Sequence, residues 1–529
     1  MSRIPIILII MSYQSINPYN GQILETFKEH TTDHLEIALQ TAATCFEIWR
    51  SKSFSERAIV ARKAATIMRD RIDEFARPMT LEMGKLIEQA RGEVRLSADI
   101  IEYYALHAEK FLQSEQLNPE TGEAFVESSP FGVLFGVQPW NFPYYQLARF
   151  AAPNLMAGNV VMVKHASCVP QCAIAFEKLW LEAGSPVGAY TNLRISHDQV
   201  NQVIDDPRVR GVALTGSAEA GKGVAARAGQ NLKKSTMELG GSDAFIVLDD
   251  ADLEKTVEWA VWAKMNNMGQ CCVAGKRFIV VENLADEFID LFQTALAALK
   301  PGNPLDETTT LGPLSTEEAL VKLLAQVDQA VVNGANVIMG GSRVDRPGSF
   351  MQPTILANIT PKNPAFREEF FGPVALFFRV KNEEEAIALA NDSDFGLGGS
   401  VFTRDVARGK RVANAWRAVS IPEWYSSITR RGRRRTCRSA ESRTPVTAAN
   451  CPVLVSKNSL IRNWCVSVPS RHGHSQIHPT KKYTHRRNKL GGATGMGKGH
   501  ANVFGSLRRR PRRIWMQRLR KLPLPHKPR

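Results

Sequence analysis

The 529-residue sequence has few long apolar runs and little cysteine. No run approaches the roughly 18–20 apolar residues that a membrane span needs. Eight cysteines in this length are too sparse for a disulfide scaffold. The short apolar run near the start is not followed by a small-residue cleavage site, so we expect no signal peptide and interpret residues 1–10 as an extension upstream of Met11. These features favour a cytoplasmic protein with free thiols.

Acidic residues are nearly absent from the last part of the chain. Residues 417–529 contain 27 Lys and Arg residues and two acids, Glu423 and Glu441, whereas residues 1–416 have a net charge of −10. The overall charge of +15 therefore averages an acidic body and a very basic tail. A hydrophobic content of 44% and the chain length favour a globular body of at least two domains.

The body alternates helical patterns with short apolar runs. Apolar residues three or four apart predict helices over residues 34–49, 55–75, 86–111, 145–157 and 171–183. Short apolar runs predict buried strands at residues 132–137, 159–163, 209–214, 244–248, 277–281, 336–339, 373–380 and 400–403. Alternation of strands and helices is typical of a parallel sheet that is covered on both faces.

Two segments follow predicted strands, where ligands bind in open α/β sheets. In Pro139-Trp-Asn-Phe-Pro143 the prolines hold Asn141 as a rigid amide donor, or the segment is only a turn. The segment Leu214–Gly221 has small residues at the start of a predicted helix, where exposed backbone N–H groups suit a phosphate. Each segment alone is a weak signal.

A third segment contains adjacent cysteines. A helix predicted to run to about Met268 and stop at Gly269 leaves Cys271 and Cys272 in an irregular stretch without other residues at metal-ligand spacing. They are either inert buried thiols or include one activated thiolate. Upstream, Glu238 precedes two glycines and is either a surface carboxylate or a functional one. Taken together, the segments indicate a thiol enzyme with a nucleotide cofactor.

Six ordered motifs resemble the NAD(P)-dependent aldehyde dehydrogenase superfamily over residues 11–416. They are Pro139-Trp-Asn-Phe-Pro143, Lys164, Thr215-Gly-Ser217, Glu238-Leu-Gly-Gly241, Gly269-Gln-Cys-Cys272 and Glu369-Phe-Phe-Gly-Pro373. Residues 190–197 look most like the bacterial succinate-semialdehyde dehydrogenase branch. The resemblance implies an α/β fold with a Rossmann-type cofactor domain at 11–240, including part of an oligomerisation hairpin near 123–137, and an incomplete α/β catalytic domain at 241–416.

The resemblance also implies a reaction. Cys272 attacks an aldehyde, Asn141 and the Cys272 N–H hold the oxyanion, and Glu238 activates the water that hydrolyses the thioester. The implied reaction is oxidation of succinate semialdehyde to succinate with NAD or NADP, without a metal. Arg149 matches a position that binds the substrate carboxylate, although an exposed helix arginine is the simpler interpretation.

The cofactor site implied by the resemblance consists of Pro139, Trp140, Lys164, Ser167, Gly216, Ser217, Leu239, Gly240, Glu369 and Phe371. NAD-preferring members often carry Glu where Ser167 stands. A carboxylate there accepts hydrogen bonds from the ribose hydroxyls and repels a 2′-phosphate. We therefore expect this chain to accept NADP as well as NAD.

The resemblance stops near Trp416, and the closing motif of the family is absent. Each residue allows a small set of codons, and these can be read in the frame that starts at the third base. In that frame the codons allowed for residues 421–430 can encode Thr-Gly-Met-Val-Phe-Ile-Asn-His-Pro, and those for residues 436–443 can encode Leu-Pro-Phe-Gly-Gly-Ile-Lys. Both match the family sequence that is missing here. We therefore interpret residues 417–529 as a frameshifted, disordered basic tail, and we expect an unpaired sheet edge. An intact relative is expected to be a homo-oligomer.

Three alternatives remain open at the level of the sequence. The chain is a dehydrogenase for another aldehyde, an inactive frameshifted product, or a basic-tailed protein that binds nucleic acid through its arginine runs. Formation of reduced cofactor on addition of aldehyde separates the first from the other two.

Overall fold

The computed structural model describes residues 13–119, 122–417, 424–427 and 460–467. The helices are α1 (Thr32–Arg50), α2 (Phe54–Asp70), α3 (Ile72–Met83), α4 (Ile87–Phe111), α5 (Pro143–Met156), α6 (Pro170–Ala183), α7 (His197–Asp205), α8 (Ala218–Gln230), α9 (Leu253–Met265), α10 (Glu282–Ala297), α11 (Glu317–Val332), α12 (Glu383–Asn391) and α13 (Val406–Arg417). Two 3₁₀ turns cover Asn266–Gly269 and Pro364–Phe366.

The strands are β1 (Tyr13–Asn17), β2 (Gln22–Phe27), β3 (Glu115–Leu117), β4 (Glu123–Pro130), β5 (Val133–Gln138), β6 (Val160–His165), β7 (Tyr190–Asn192), β8 (Val209–Thr215), β9 (Lys234–Glu238), β10 (Asp243–Val247), β11 (Gly275–Val281), β12 (Asn336–Met339), β13 (Thr354–Ala357), β14 (Val374–Val380), β15 (Gly398–Phe402), β16 (Trp424–Ser427) and β17 (Leu460–Ser467). The upstream extension at 1–10 and the basic runs at 430–435 and 508–513 lie outside the described residues.

The first sheet carries the order β7-β6-β5-β8-β9, and every neighbouring pair is parallel. This confirms the predicted parallel sheet. All six residues of β6 are buried, as expected for a central strand with helices on both faces. The chain runs outward from β5 to β7 and then returns to β8 on the other side of β5. The reversal leaves a crevice at the carboxyl ends of β5 and β8, where ligands bind in such sheets.

The second sheet carries the order β12-β13-β14-β11-β10-β15-β16. Its strands are parallel except for β12, which runs antiparallel to β13 at the edge. A separate buried apolar cluster surrounds this sheet, including Phe245, Phe278 and Phe292. Each sheet therefore has its own core, and the predicted boundary at residues 240 and 241 lies between the last strand of one sheet and β10 of the other.

One predicted helix is wrong in its extent. The apolar pattern over residues 55–75 predicts a single helix, but α2 ends at Asp70 and α3 begins at Ile72. Arg71 leaves the helical region with φ −115° and ψ 39°. Its guanidinium hydrogen-bonds to Glu74 and to Glu182 on α6. The break therefore lies at a residue whose side chain bonds to both α3 and α6.

Two strands beyond Trp416 differ from the expectation of an unpaired sheet edge. β16 pairs in parallel with β15, and β17 pairs antiparallel with all eight residues of β4. The backbone of these two short segments is therefore strand. The rest of the proposed frameshifted segment lies outside the described residues. Within the described ranges, no helix is long and apolar enough to cross a membrane.

Candidate active site

The predicted site residues meet where the two sheets face each other. Asn141 follows the carboxyl end of β5, and Glu238 is the last residue of β9. Cys272 precedes the amino end of β11 in the other sheet. The Asn141 Nδ2 donates a hydrogen bond of 3.0 Å to the Gln270 carbonyl, which joins the two sheet edges directly. The fold thus brings together residues that are far apart in sequence.

The backbone before the cysteines is irregular. α9 ends at Met265, whereas the sequence predicts regular helix to about Met268. Asn267 and Met268 adopt left-handed φ angles of 53° and 55°, which end the helix and cost conformational energy in non-glycine residues. At Gly269 a Cβ atom would lie 2.1 Å from the Gly372 carbonyl oxygen. Only glycine fits there, so the segment passes close to the loop before β14.

The two adjacent thiols form one coupled pair. Their mutual hydrogen bond lowers the pKa of Cys271 and raises that of Cys272. Burial raises the pKa of both thiols, and the Lys276 ammonium lowers both. Arg149 also lowers the pKa of Cys272, so the charge of this arginine acts on that thiol. The pair loses its first proton more readily than two isolated buried thiols would.

Asn141 is held by two buried charges that the sequence analysis missed. Its carbonyl oxygen accepts hydrogen bonds from Lys85 Nζ at 2.9 Å and from Asn267 Nδ2 at 2.8 Å. Lys85 is ion-paired with Glu93, and both side chains are almost fully buried. Glu93 also accepts the backbone N–H groups of Tyr144 and Tyr145 at the start of α5. These contacts, besides the flanking prolines, fix the position of Asn141.

Glu238 and Arg149 form an ion pair beside the thiols. Arg149 Nη2 lies 3.3 Å from Glu238 Oε2, and the two side chains are 18% and 9% exposed. Burial lowers the pKa of Arg149, but Glu238, Tyr145 and Cys272 together raise it above its usual value, with Glu238 the largest single contributor. Arg149 is thus neither the exposed helix arginine of the simpler interpretation nor a cation without a partner. An incoming carboxylate would compete with Glu238 for it.

The predicted cofactor residues follow the carboxyl ends of neighbouring strands in the first sheet. Lys164 is the penultimate residue of β6, and the exposed Ser167 lies just beyond the strand. Ser217 caps α8, accepting the Ala220 N–H at 3.3 Å. At Gly221 a Cβ atom would lie 2.5 Å from the Leu239 side chain, so α8 packs closely on the segment after β9. A helix N-terminus, a lysine and a hydroxyl thus line one sheet edge, a donor set that fits a dinucleotide phosphate.

The remaining predicted cofactor residues link the two sheets. The Trp140 and Phe371 rings pack edge to face with centroids 5.8 Å apart. The Glu369 Oε1 accepts the Gly241 N–H at 3.1 Å. At Gly240 a Cβ atom would lie 2.1 Å from Glu369 Oε2, so a side chain there would displace the Glu369 carboxylate. These contacts bring the Glu369 and Leu239–Gly241 segments together.

Lys85, Glu93, Asn267, Gln270 and Lys276 are the site residues that sequence reasoning missed. A signal existed for Lys276, because two adjacent basic residues, Lys276 and Arg277, are unusual next to the apolar run of β11. Glu93 also falls on the buried face of α4 among apolar residues.

Across the described ranges no group of three or more His, Cys, Asp or Glu side chains is arranged to hold a metal ion.

Comparison with known proteins gives a consistent picture. The sequence pattern of the aldehyde dehydrogenase family matches residues 11–427. The chain is 47% identical over 401 residues to the NADP(+) succinate-semialdehyde dehydrogenase of Deinococcus radiodurans, covering 76% of this chain and 84% of that protein. It is 43% identical over 399 residues to the succinate semialdehyde dehydrogenase [NAD(P)+] Sad of Escherichia coli, covering 75% of this chain and 86% of that protein.

A solved structure agrees with these relatives. The succinic semialdehyde dehydrogenase from Streptococcus pyogenes, in complex with NADP+, superposes with a TM-score of 0.80 at 40% identity. The match covers 86% of this chain and all of that one. On this fold, this arrangement of side chains and these similarities, the chain belongs to the aldehyde dehydrogenase family.

Proposed function

We propose that this chain oxidises succinate semialdehyde to succinate with NADP+ or NAD+. The observation that carries the proposal is the Arg149–Glu238 pair beside Cys272. It puts a cation suited to a carboxylate next to a candidate base and a candidate nucleophile. The relatives named for succinate semialdehyde support the same substrate.

In this proposal Cys272 is the nucleophile. Its thiolate attacks the aldehyde carbon and leaves a negative charge on the former carbonyl oxygen. Asn141 donates one Nδ2 hydrogen to Gln270, which leaves the second hydrogen for this oxyanion. The Cys272 backbone N–H is the other proposed donor. Because Asn141 is fixed by Lys85 and Asn267, its donor is already oriented before substrate binds.

The cofactor would lie along the carboxyl edge of the first sheet. Lys164 and Ser167 would bind the adenosine ribose, and Gly216 and Ser217 with the α8 N-terminus would bind the pyrophosphate. Glu369 would bind the nicotinamide ribose, beside Phe371, with Pro139, Trp140, Leu239 and Gly240 completing the walls. When bound, the cofactor supplies the hydride acceptor. Residues 164–168 contain no acidic side chain, which supports acceptance of a 2′-phosphate.

Glu238 is the proposed general base for hydrolysis. Once the adduct on Cys272 has given up its hydride, it is a thioester. Water attacks the thioester carbonyl, the Glu238 carboxylate takes the proton from that water, and Cys272 leaves as the thiolate, which releases the acid. The carboxylate is 9% exposed at the end of β9, within reach of the same crevice. A base here favours release of a free acid over transfer of the acyl group to another thiol.

Arg149 is the proposed anchor for the distal carboxylate of the substrate. Arginine binds carboxylates with two parallel hydrogen bonds, and this interaction is stronger away from bulk water. The same arginine is paired with Glu238 in the free protein, so on substrate binding Arg149 would exchange this partner for the substrate carboxylate. The carboxylate at one end of the substrate would thereby place the aldehyde at the other end near Cys272.

The proposal is tested by mixing the purified chain with succinate semialdehyde and NADP+ and following absorbance of the reduced cofactor. We expect aldehyde-dependent reduction that Cys272→Ser abolishes. Cys45→Ser, a buried thiol on α1, is the matched control and should retain activity. Absence of reduction by the folded native chain with this aldehyde would reject the proposal.

We extend the proposal to the organisation of the chain. Residues 11–240 would form the cofactor domain and 241–416 the catalytic domain. We also propose a cytoplasmic enzyme without a nucleic-acid partner, assembling as a homo-oligomer when the closing segment of the family is present.

A further inference from the structure

Lys276 occupies an unusual position for a lysine. It is the second residue of β11, and its side chain is completely buried at 0% exposure. Its ammonium has three hydrogens, and three acceptors surround it. They are the carbonyl oxygens of Cys271 at 2.7 Å and Cys272 at 2.8 Å and the Oε1 atom of Glu369 at 3.0 Å. Every hydrogen of the ammonium is thus used within the site.

These contacts determine the direction of a peptide group. The Cys271 carbonyl and the Cys272 N–H belong to the same planar trans peptide, in which they point in opposite directions. A carbonyl held by Lys276 therefore turns the Cys272 N–H away from Lys276. That N–H is the second oxyanion donor of the proposed mechanism. Because β11 is buried along its whole length, the anchor for this peptide is rigid.

We propose that Lys276 is a positioning residue that orients the Cys272 N–H as an oxyanion donor and connects the nucleophile segment to Glu369. It acts through the backbone and does not contact the reacting atoms. The inference rests on the proposed function, because it takes Cys272 as the nucleophile and Glu369 as a cofactor ligand.

The surroundings of Lys276 support this role. Glu369 Oε1 accepts hydrogen bonds from both the Lys276 ammonium and the Gly241 N–H, so two separate segments are joined to one carboxylate. At Gly241 a Cβ atom would lie 2.6 Å from the Cys272 carbonyl oxygen, so glycine lets this backbone pass close to the carbonyl that Lys276 holds. The Lys276 charge also lowers the pKa of both thiols, so the same residue favours a thiolate near the donor.

Two variants separate the effects of hydrogen bonding and charge. Lys276→Met removes both, whereas Lys276→Gln keeps an amide donor and removes the charge. The first measurement is the pH dependence of thiol alkylation by iodoacetamide, which requires no catalytic turnover. We expect the midpoint to rise by about 1 pH unit or more in both variants, because an adjacent cation shifts a pKa by about 1–3 units.

The second measurement is kcat per alkylatable thiol, compared with KM. We expect Lys276→Met to lower kcat by about 100-fold with little change in KM, because a misdirected oxyanion donor acts only on the transition state. Lys276→Gln should recover part of kcat. A loss of structure alone would reduce the number of reactive thiols and not the rate per thiol.

Lys233→Met is the matched control. Lys233 also donates to two backbone carbonyls, those of Ile204 and Asp206, but it precedes the amino end of β9, at the opposite end of that strand from Glu238. The thiols of this variant should alkylate with the native midpoint. Native midpoints and native kcat per thiol in both Lys276 variants would overturn the proposal. If the native chain oxidises no aldehyde but the midpoints shift as expected, the proposed function fails and the electrostatic role of Lys276 stands.

Discussion

At the scale of single residues, the site is a set of charges that neutralise one another before substrate arrives. Arg149 is paired with Glu238, Lys276 with Glu369, and Lys85 with Glu93. Removing one member of a buried pair leaves the other without compensation, which is costly. The Arg149 pair is the most exposed of the three, so it is the one that a charged substrate can most readily exchange.

Arg149→Met tests this exchange. We expect KM for succinate semialdehyde to rise about 10- to 100-fold, because a charged hydrogen bond contributes about 1.5–3 kcal/mol. KM for butanal, which has the same chain length without the carboxylate, should change little. Steady-state kinetics on both aldehydes measure the ratio. Arg227→Met removes an Arg–Asp pair away from the site and is the control. An equal rise for both aldehydes would refute the anchor role.

The thiol pair makes a second prediction at this scale. The pKa order favours Cys271 as the first thiolate, but the charge of Arg149, which is paired with the proposed base Glu238, acts on Cys272. We therefore expect Cys271→Ser to retain a burst of reduced cofactor and Cys272→Ser to lose it. Rapid mixing with succinate semialdehyde measures the burst. Loss of the burst in Cys271→Ser with retention in Cys272→Ser would assign the nucleophile to Cys271.

At the scale of elements, the sequence predicted the helices from α1 to α6, with α2 and α3 taken as one, and the central strands, because their periodicity is strong. It named no helix at α7 or at α10 to α13. It did not predict β9, whose five residues are mixed in polarity, or the short β7. It also could not predict that Glu93 on α4 caps α5, since that contact joins residues 51 and 52 positions apart. The local sequence pattern indicates where helices and strands lie, whereas such contacts depend on how the helices pack in space.

The end of β6 provides a pH-dependent prediction. His165 is buried and contacts the Gln138 and Pro143 carbonyls, and burial lowers its pKa to about 4. Its usual pKa is about 6.5, so the unfolded chain binds a proton there that the folded chain excludes as pH falls below 6.5. The contribution of His165 to the free energy of unfolding is therefore fully present above pH 6.5 and is lost progressively as the pH falls toward 4.

We therefore expect His165→Gln to change how unfolding depends on pH. Between pH 7 and pH 4.5, the native chain should lose up to about 3 kcal/mol of unfolding free energy relative to this variant. Urea denaturation at the two pH values measures the difference. The control is His197→Gln, at an exposed position at the start of α7. A native-minus-variant difference that does not change with pH would contradict the prediction.

At the scale of the whole molecule, the site depends on two sheets facing each other. The ordered motifs were sufficient to name residues from both sheets. They did not reveal the contacts that join the sheets, such as Asn141 to Gln270 and Trp140 to Phe371. These contacts need three-dimensional packing that no single segment encodes. The catalytic geometry therefore requires both cores to fold, including the second sheet, which is completed by strands near the end of the family-like region.

The segment beyond Trp416 bears directly on that second sheet. β16 forms its edge beside β15, within the tail that the codon argument interprets as frameshifted. This tail contains 27 basic residues, whose charges repel one another, and it has few apolar runs that could be buried. If residues 417–529 are replaced by the sequence encoded in the frame that starts at the third base, the chain carries the closing motif of the family.

We expect the chain with the replaced segment to be more active and more stable than the chain as written. Its activity on succinate semialdehyde should be at least about tenfold higher, and its thermal midpoint should be raised, since added sheet pairing and apolar burial stabilise the second core. Both chains, each with a Cys272→Ser partner, would be compared in the same assay and melting experiment. Equal activity and stability would show that the written tail completes the fold, and would remove the frameshift interpretation.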